Sequence, residues 1–363
     1  MKSEEKIEAL EILHGVVGVE EIKANFYYDE TNNYRKVHFH EGRLNVTDNG
    51  DFFLGGIALV DSKIDIEQIR QSTRIDKTAS EIKFKNVASG NALSILNSKR
   101  LKTIFEKLSE CGAYVHFSRV DILFWSIIDI IESVNFDFVP KDGLIYHLHV
   151  KSRLYEILSA DIALCLKFFQ RYNYPDISSE SIGDFYDELL SMVRRQTEHQ
   201  DVDYLLSIFL MAGKRSAEAV FIQNEDRSIL IDDFTGFYRE RIMSMPNARH
   251  IFDNEHLAHS SLSNSPSTYN GSPMMNYQFV DSKLFPEIQI SDVTIGLYAR
   301  LINFCKGKSI KEIQGFRRGL NKNQLSLLKI AGDLIDRSDD YSKVLFNHIA
   351  PIQEHGKWAA LVH

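Results

Sequence analysis

Three runs rich in aromatic and β-branched residues follow one another early in the chain: Ala24 to Asp29, Arg35 to His40 and Phe52 to Val60. Asn, Asp and Gly fill the connections, so the pattern predicts three strands in a meander. Gly55-Gly56 inside the third run permits a bulge or the close approach of another backbone. Beyond Ser80, the stretch from Ala92 to Leu108 places Leu93, Ile95, Leu96, Leu101, Ile104, Phe105 and Leu108 mostly on one helical face. Cys111-Gly112 ends that helix, and Ala113 to Val120 reads as a fourth strand. Three strands, a helix and a strand specify an α/β chain built on a mixed sheet.

The remaining segments divide more coarsely. Residues 5–16 carry Ile7, Leu10, Ile12 and Leu13 at helical spacing, giving an N-terminal helix within residues 1–20. The main domain is expected over residues 21–305. Inside it, residues 122–220 are a large helical insertion, with helices over Ile122 to Val134, His149 to Tyr172, Ile182 to Arg195 and Tyr204 to Ala212. Ser228 to Asp233 looks like a return to a buried strand. The Ser-, Asn-, Pro- and Gly-rich stretch 259–275 predicts a mobile surface loop, either a linker or a gate over a substrate. Residues 306–363 predict a C-terminal helical region, with helices around Asn321 to Ile335 and Tyr341 to His348.

Composition narrows the class of protein. A chain of 363 residues that is 44% hydrophobic and 25% charged can bury a substantial core. No run of about 18 apolar residues suggests a membrane span, and the start has no secretory pattern. Cys111, Cys165 and Cys305 lack metal-ligand spacing and read as reduced thiols, so a cytoplasmic location is expected. A formal charge of -8 gives no general attraction to phosphate backbones, although a local basic groove is compatible with it.

Acids at opposite ends of the main domain carry the functional reading. Asp29 ends an aromatic strand, where a carboxylate is costly to desolvate unless paired, hydrogen-bonded or bound to a cation. Successive strand residues alternate faces, so Asp29 and the adjacent Glu30 point opposite ways. Glu81 precedes Ile82-Lys83-Phe84-Lys85, where Lys83 is either a solvated charge or a phosphate contact. Gln289, Asp292 and Gly296 share one face of a late helix, beside an apolar stripe of Ile290, Val293, Leu297 and Leu301. Gly296 removes bulk beside Asp292, letting that helix approach a strand or a ligand. Each feature also has an ordinary reading, as a turn, a helix entry or a first-turn acid.

Taken together, Asp29-Glu30-Thr31-Asn32-Asn33, Phe52 to Ile57 with its Gly-Gly, Glu81-Ile82-Lys83, and Gln289-x-x-Asp292 resemble the Domain of Unknown Function 3800 family over roughly residues 22–304. The resemblance implies a ribonuclease-H-like fold and an acidic site at Asp29, Glu30, Glu81 and Asp292, with Asp29, Glu81 and Asp292 as ligands of Mg²⁺ or Mn²⁺. It implies phosphodiester hydrolysis on a nucleic acid, in phage-defence or mobile-element biology, with two ions about 4 Å apart. Asp232 is added as a further acid, ahead of Asp121. Thr31-Asn32 replaces the family's Ser-Gly, and the helical middle is enlarged. The alternative is a noncatalytic protein that binds a protein partner through its helical insertion and C-terminal helices.

Other groupings are weaker. Asp253 with His256 and His259 has the residue types of a metal site but adjoins the expected loop, and His38 with His40, or His147 with His149, share a strand face if extended. Arg194-Arg195 and Arg317-Arg318 read as solvated helix faces.

Overall fold

Residues 21–46, 50–75, 81–134, 146–195, 199–216 and 219–363 are described by the computed structural model; the helix predicted over residues 5–16 lies outside them. The chain opens with β1 (Asn25–Thr31), β2 (Val37–His40), β3 (Arg43–Leu44) and β4 (Phe52–Leu59). Four helices, α1 (Ile66–Thr73), α2 (Phe84–Val87), α3 (Ala92–Leu96) and α4 (Lys99–Glu110), lead to β5 (Tyr114–Val120). A block of five helices follows: α5 (Ile122–Glu132), α6 (His147–Ser159), α7 (Ile162–Arg171), α8 (Ile182–Arg194) and α9 (Gln200–Arg215). The chain continues through β6 (Ile229–Ile231), α10 (Thr235–Ser244), β7 (Arg249–Asp253), α11 (His256–Asn264), β8 (Thr268–Tyr269), β9 (Ser272–Pro273) and β10 (Tyr277–Val280). Next come α12 (Pro286–Cys305), α13 (Ile310–Arg318), α14 (Lys322–Tyr341), β11 (Phe346–Ile349) and α15 (Lys357–Val362).

Six strands form the expected mixed α/β sheet, in the order β10-β7-β1-β4-β5-β11. β4 runs antiparallel to β1 and to β5, whereas β7 and β10 run parallel to β1, and β11 parallels β5. All eight residues of β4 are buried, as suits a strand covered on both faces. On one face α12 crosses β1 and β4. It comes close because Gly56 has no side chain: a Cβ there would lie 2.3 Å from Ser291. Ser291 Oγ donates instead to Tyr27 O at 2.9 Å and accepts from Ile57 N–H at 3.3 Å. On the other face, Phe52 stacks on Phe234 and Trp125 meets Phe237 edge-on, which fastens the helical block to the sheet through α10.

Four expectations are corrected. There is no meander, because β2 leaves the main sheet and pairs with β3 and β6 in a small one. The helix expected over Ala92 to Leu108 breaks at Ser98, whose hydroxyl caps Leu101 N–H and donates to Val87 O. The stretch 259–275 is ordered by the Glu255 cap on α11 and by the β8-β9 hairpin, with Asn270 and Gly271 at φ 50° and 74° as an Asn-Gly turn requires. Finally, residues 341–348 end in β11, so the expected C-terminal helical region donates an edge strand to the central sheet.

Candidate functional site

Strand direction brings the acids together. β1, β5, β7 and β10 all point the same way, so their C-terminal ends share one edge of the sheet. Asp29 and Asp253 stand at that edge on adjacent strands, and Asp29 is only 7% exposed. The chain returns to this edge twice, through residues 81–85 and through α12.

The face of α12 that bears Gln289, Asp292 and Gly296 holds the 81–87 segment in place. Gln289 accepts from Ile82 N–H at 2.8 Å and donates to Ser282 O at 2.7 Å. Asp292 Oδ2 accepts from Phe84 N–H. Gly296 faces the Phe84 ring, where a Cβ would fall 2.5 Å from a ring carbon. The close approach inferred for Gly296 is therefore made by the aromatic ring. This docking delivers Lys83 into the acidic group: its Nζ lies 3.9 Å from Asp29, 3.9 Å from Glu81 and 3.7 Å from Asp253.

The group carries more negative charge than Lys83 offsets. Burial pushes the Asp29 carboxyl well above the usual range, and the charges of Asp292, Glu30 and Asp253 add to it against the pull of Lys83. Burial also raises Asp292, opposed by the Phe84 N–H and Lys83. For Lys83 burial disfavours the ammonium, but Asp29, Asp292, Asp253 and Glu81 outweigh it and raise its pKa. Glu30 points to the opposite face, as strand alternation requires, toward Tyr238 of α10; burial and Asp253 push it up to about 7.

Asp29, Glu30, Glu81 and Asp292 are thus gathered at one edge, but Asp232 is not. Asp232 follows β6 in the small sheet, where its 71% exposed side chain pairs with Lys36 at 2.7 Å. Its rival Asp121 follows β5, two strands from Asp29 and four residues beyond Phe117, the β5 residue level with Asp29. There it caps α5 through Phe124 N–H and pairs with Lys306 at 2.7 Å. The residue that sequence reasoning misplaced is Asp253. It closes the apolar run His250-Ile251-Phe252 just as Asp29 closes Phe26-Tyr27-Tyr28, and that repeat was the available signal. His256 and His259 lie on α11, with the His259 ring stacked on Phe279. His147 and His149 lie on helix α6, so they share no strand face. A cavity of about 520 Å³ lies elsewhere, beside β11 and α15, lined by Arg119, Glu354 and Trp358.

The donor set is chemically suited to a hard divalent cation: every group is a carboxylate oxygen, the ligand type of Mg²⁺ and Mn²⁺ sites. Asp29 and Asp292 are raised mainly by burial, and for Asp29 the neighbouring carboxylates add to it. Among the described residues, no three His, Cys, Asp or Glu side chains form a ready-made cation shell; the acids are spaced around the Lys83 ammonium. No protein-family model matches the chain, and no curated protein or solved structure matches it either. No helix among the described residues is long and apolar enough to cross a membrane.

Proposed function

We propose that this chain is a Mg²⁺- or Mn²⁺-dependent nuclease, or a related phosphodiester-cleaving enzyme, of ribonuclease-H-like fold. The observation that carries the reading is the convergence of Asp29, Glu81, Asp253 and Asp292, from four separate stretches of sequence, around Lys83. The strand run β5-β4-β1-β7-β10, antiparallel on one side of β1 and parallel on the other, supports the fold assignment, with β11 as an addition. Asp29, Glu81 and Asp292 would hold the cation, with Asp253 in the place first given to Asp232. A bound divalent ion supplies an activated water and stabilises the leaving oxygen of a phosphodiester. The chain's own part is to hold the carboxylates at the sheet edge and to present Lys83 to a phosphate.

Calorimetry with Mn²⁺ on the wild type, Asp29→Asn and Asp292→Asn, beside cleavage assays on RNA, DNA and hybrid substrates, tests this. The wild type should bind Mn²⁺, both variants at least about tenfold more weakly, and cleavage should vanish with affinity. In EDTA, Asp29→Asn should be more stable than the wild type, because it removes a buried charge that lacks full compensation. Absence of Mn²⁺ binding by the wild type would sink the reading. It would favour the noncatalytic alternative, in which the helical block presents exposed Leu164, Tyr204 and Met211 to a protein partner.

A further inference from the structure

We propose that the surface around residues 83–86 is a track for a nucleic-acid backbone leading to the acidic edge. The inference names a substrate contact for the nuclease reading above and rests on it for its direction, but its test needs no metal.

The chain is acidic overall, yet cations collect here. Arg74 closes α1, Lys85 lies in α2, Lys99 and Arg100 open α4, and Arg300 projects from α12. All five are exposed. None of the five forms an ion pair with a described carboxylate, whereas the neighbouring Lys102 and Lys107 each pair within their own helix. Two are held in place through neutral partners. Arg100 donates from Nη1 to Asn86 O at 3.0 Å and from Nη2 to Arg74 O at 3.4 Å, which ties α1, α2 and α4 together and leaves further N–H groups of the guanidinium fork unused. Arg300 lies 4.1 Å over the Phe84 ring and donates to Gly296 O. Phe84 in turn donates its N–H to Asp292, so the basic surface and the acidic edge meet at Lys83-Phe84.

This arrangement matches a polyanion better than a single small anion. The cations come from four elements and all are exposed. Phosphate contacts of this kind provide affinity and position without sequence readout, and their strength falls steeply with salt. RNA and DNA share that chemistry, so both are used as probes.

The experiment measures fluorescence anisotropy of labelled single strands of about 16 nucleotides, RNA and DNA in parallel, in EDTA over a salt series. The triple reversal Arg74→Glu/Lys85→Glu/Arg100→Glu is compared with the equal-charge control Arg194→Glu/Arg195→Glu/Lys322→Glu. We expect the first to weaken binding at least tenfold and to flatten the salt dependence by two to three contacts, roughly 0.7 in log-log slope for each on a single strand, with the control near wild type. A second pair, Lys85→Glu/Lys99→Glu, spares the Arg100 hydrogen bonds and should weaken binding in the same direction if the triple variant unfolds. Equal weakening by track and control variants, or no binding by the wild type at low salt, overturns the track. Mn²⁺ calorimetry separates the two readings: strand binding without Mn²⁺ binding removes the nuclease and keeps the track, and the converse removes the track alone.

Discussion

Gly296 shows how one absent side chain fixes the geometry of the acidic edge. Adding a Cβ would displace the Phe84 ring, and with it the N–H that Asp292 accepts. Gly296→Ala is expected to cost about 1–3 kcal/mol by overpacking, read from urea midpoints, and to weaken Mn²⁺ binding in calorimetry. Gly183→Ala in α8, where nothing lies within 4 Å of the new methyl, should be neutral or stabilising; equal losses at both sites would show that packing at Phe84 is not the cause. A second residue sets a pH dependence away from this site. Burial, with Glu132 and Glu225 and against Lys151, pushes Asp129 from 3.8 up to about 7. The folded state therefore binds this proton more tightly than the unfolded chain. Its contribution is complete below about pH 4 and is lost as pH rises through about 7. Asp129→Asn should flatten that decline and be the more stable protein above pH 7, as measured by denaturation across pH; parallel curves for the two proteins would refute the assignment.

The elements are joined by one buried charge network as much as by apolar contact. Asp51, at the start of β4, bonds Arg119 of β5 and Lys306 after α12, each at 2.6 Å. Lys306 also reaches Asp121, and Glu354 links Arg119 to Lys357 of α15. Three acids balance three cations, so losing one leaves charge stranded in a dry setting. Asp51→Ala should destabilise by about 3–5 kcal/mol in chemical denaturation, and a loss below about 1 kcal/mol would mean that water already screens the network. Such pairings are hidden from a sequence reading, which is why Asp121 and Asp232 compete for one acidic role there: each is an Asp after a strand-like run. Periodicity did reveal the strands around Phe26, Phe52 and Val115 and most helices of the central block, because long runs carry the signal, but it missed the break at Asp161, which caps α7 and splits the helix expected over His149 to Tyr172. The four residues of β11 and five of β7 were too short to register by period, and the second omission is what concealed Asp253.

Over the whole molecule, the mixed α/β class was legible but the topology was not, since only tertiary contact decides that β2 departs while a strand near residue 346 joins β5. The candidate acids were mostly legible because they close strands or share a helix face; the basic surface was not, because Arg74, Lys85, Arg100 and Arg300 belong to different helices. The late strand also shapes how this chain must acquire its structure. Val115 donates to Ser338 across 223 positions, and β11 seals the outer margin of β5 only after that distance has been spanned. During synthesis on the ribosome, the β1-β4-β5 ribbon would emerge with both flanks open, since β7 and β11 are encoded far downstream. Unpaired flanks of that kind are templates for pairing with other chains, so the last strand made is also the one that closes an open edge.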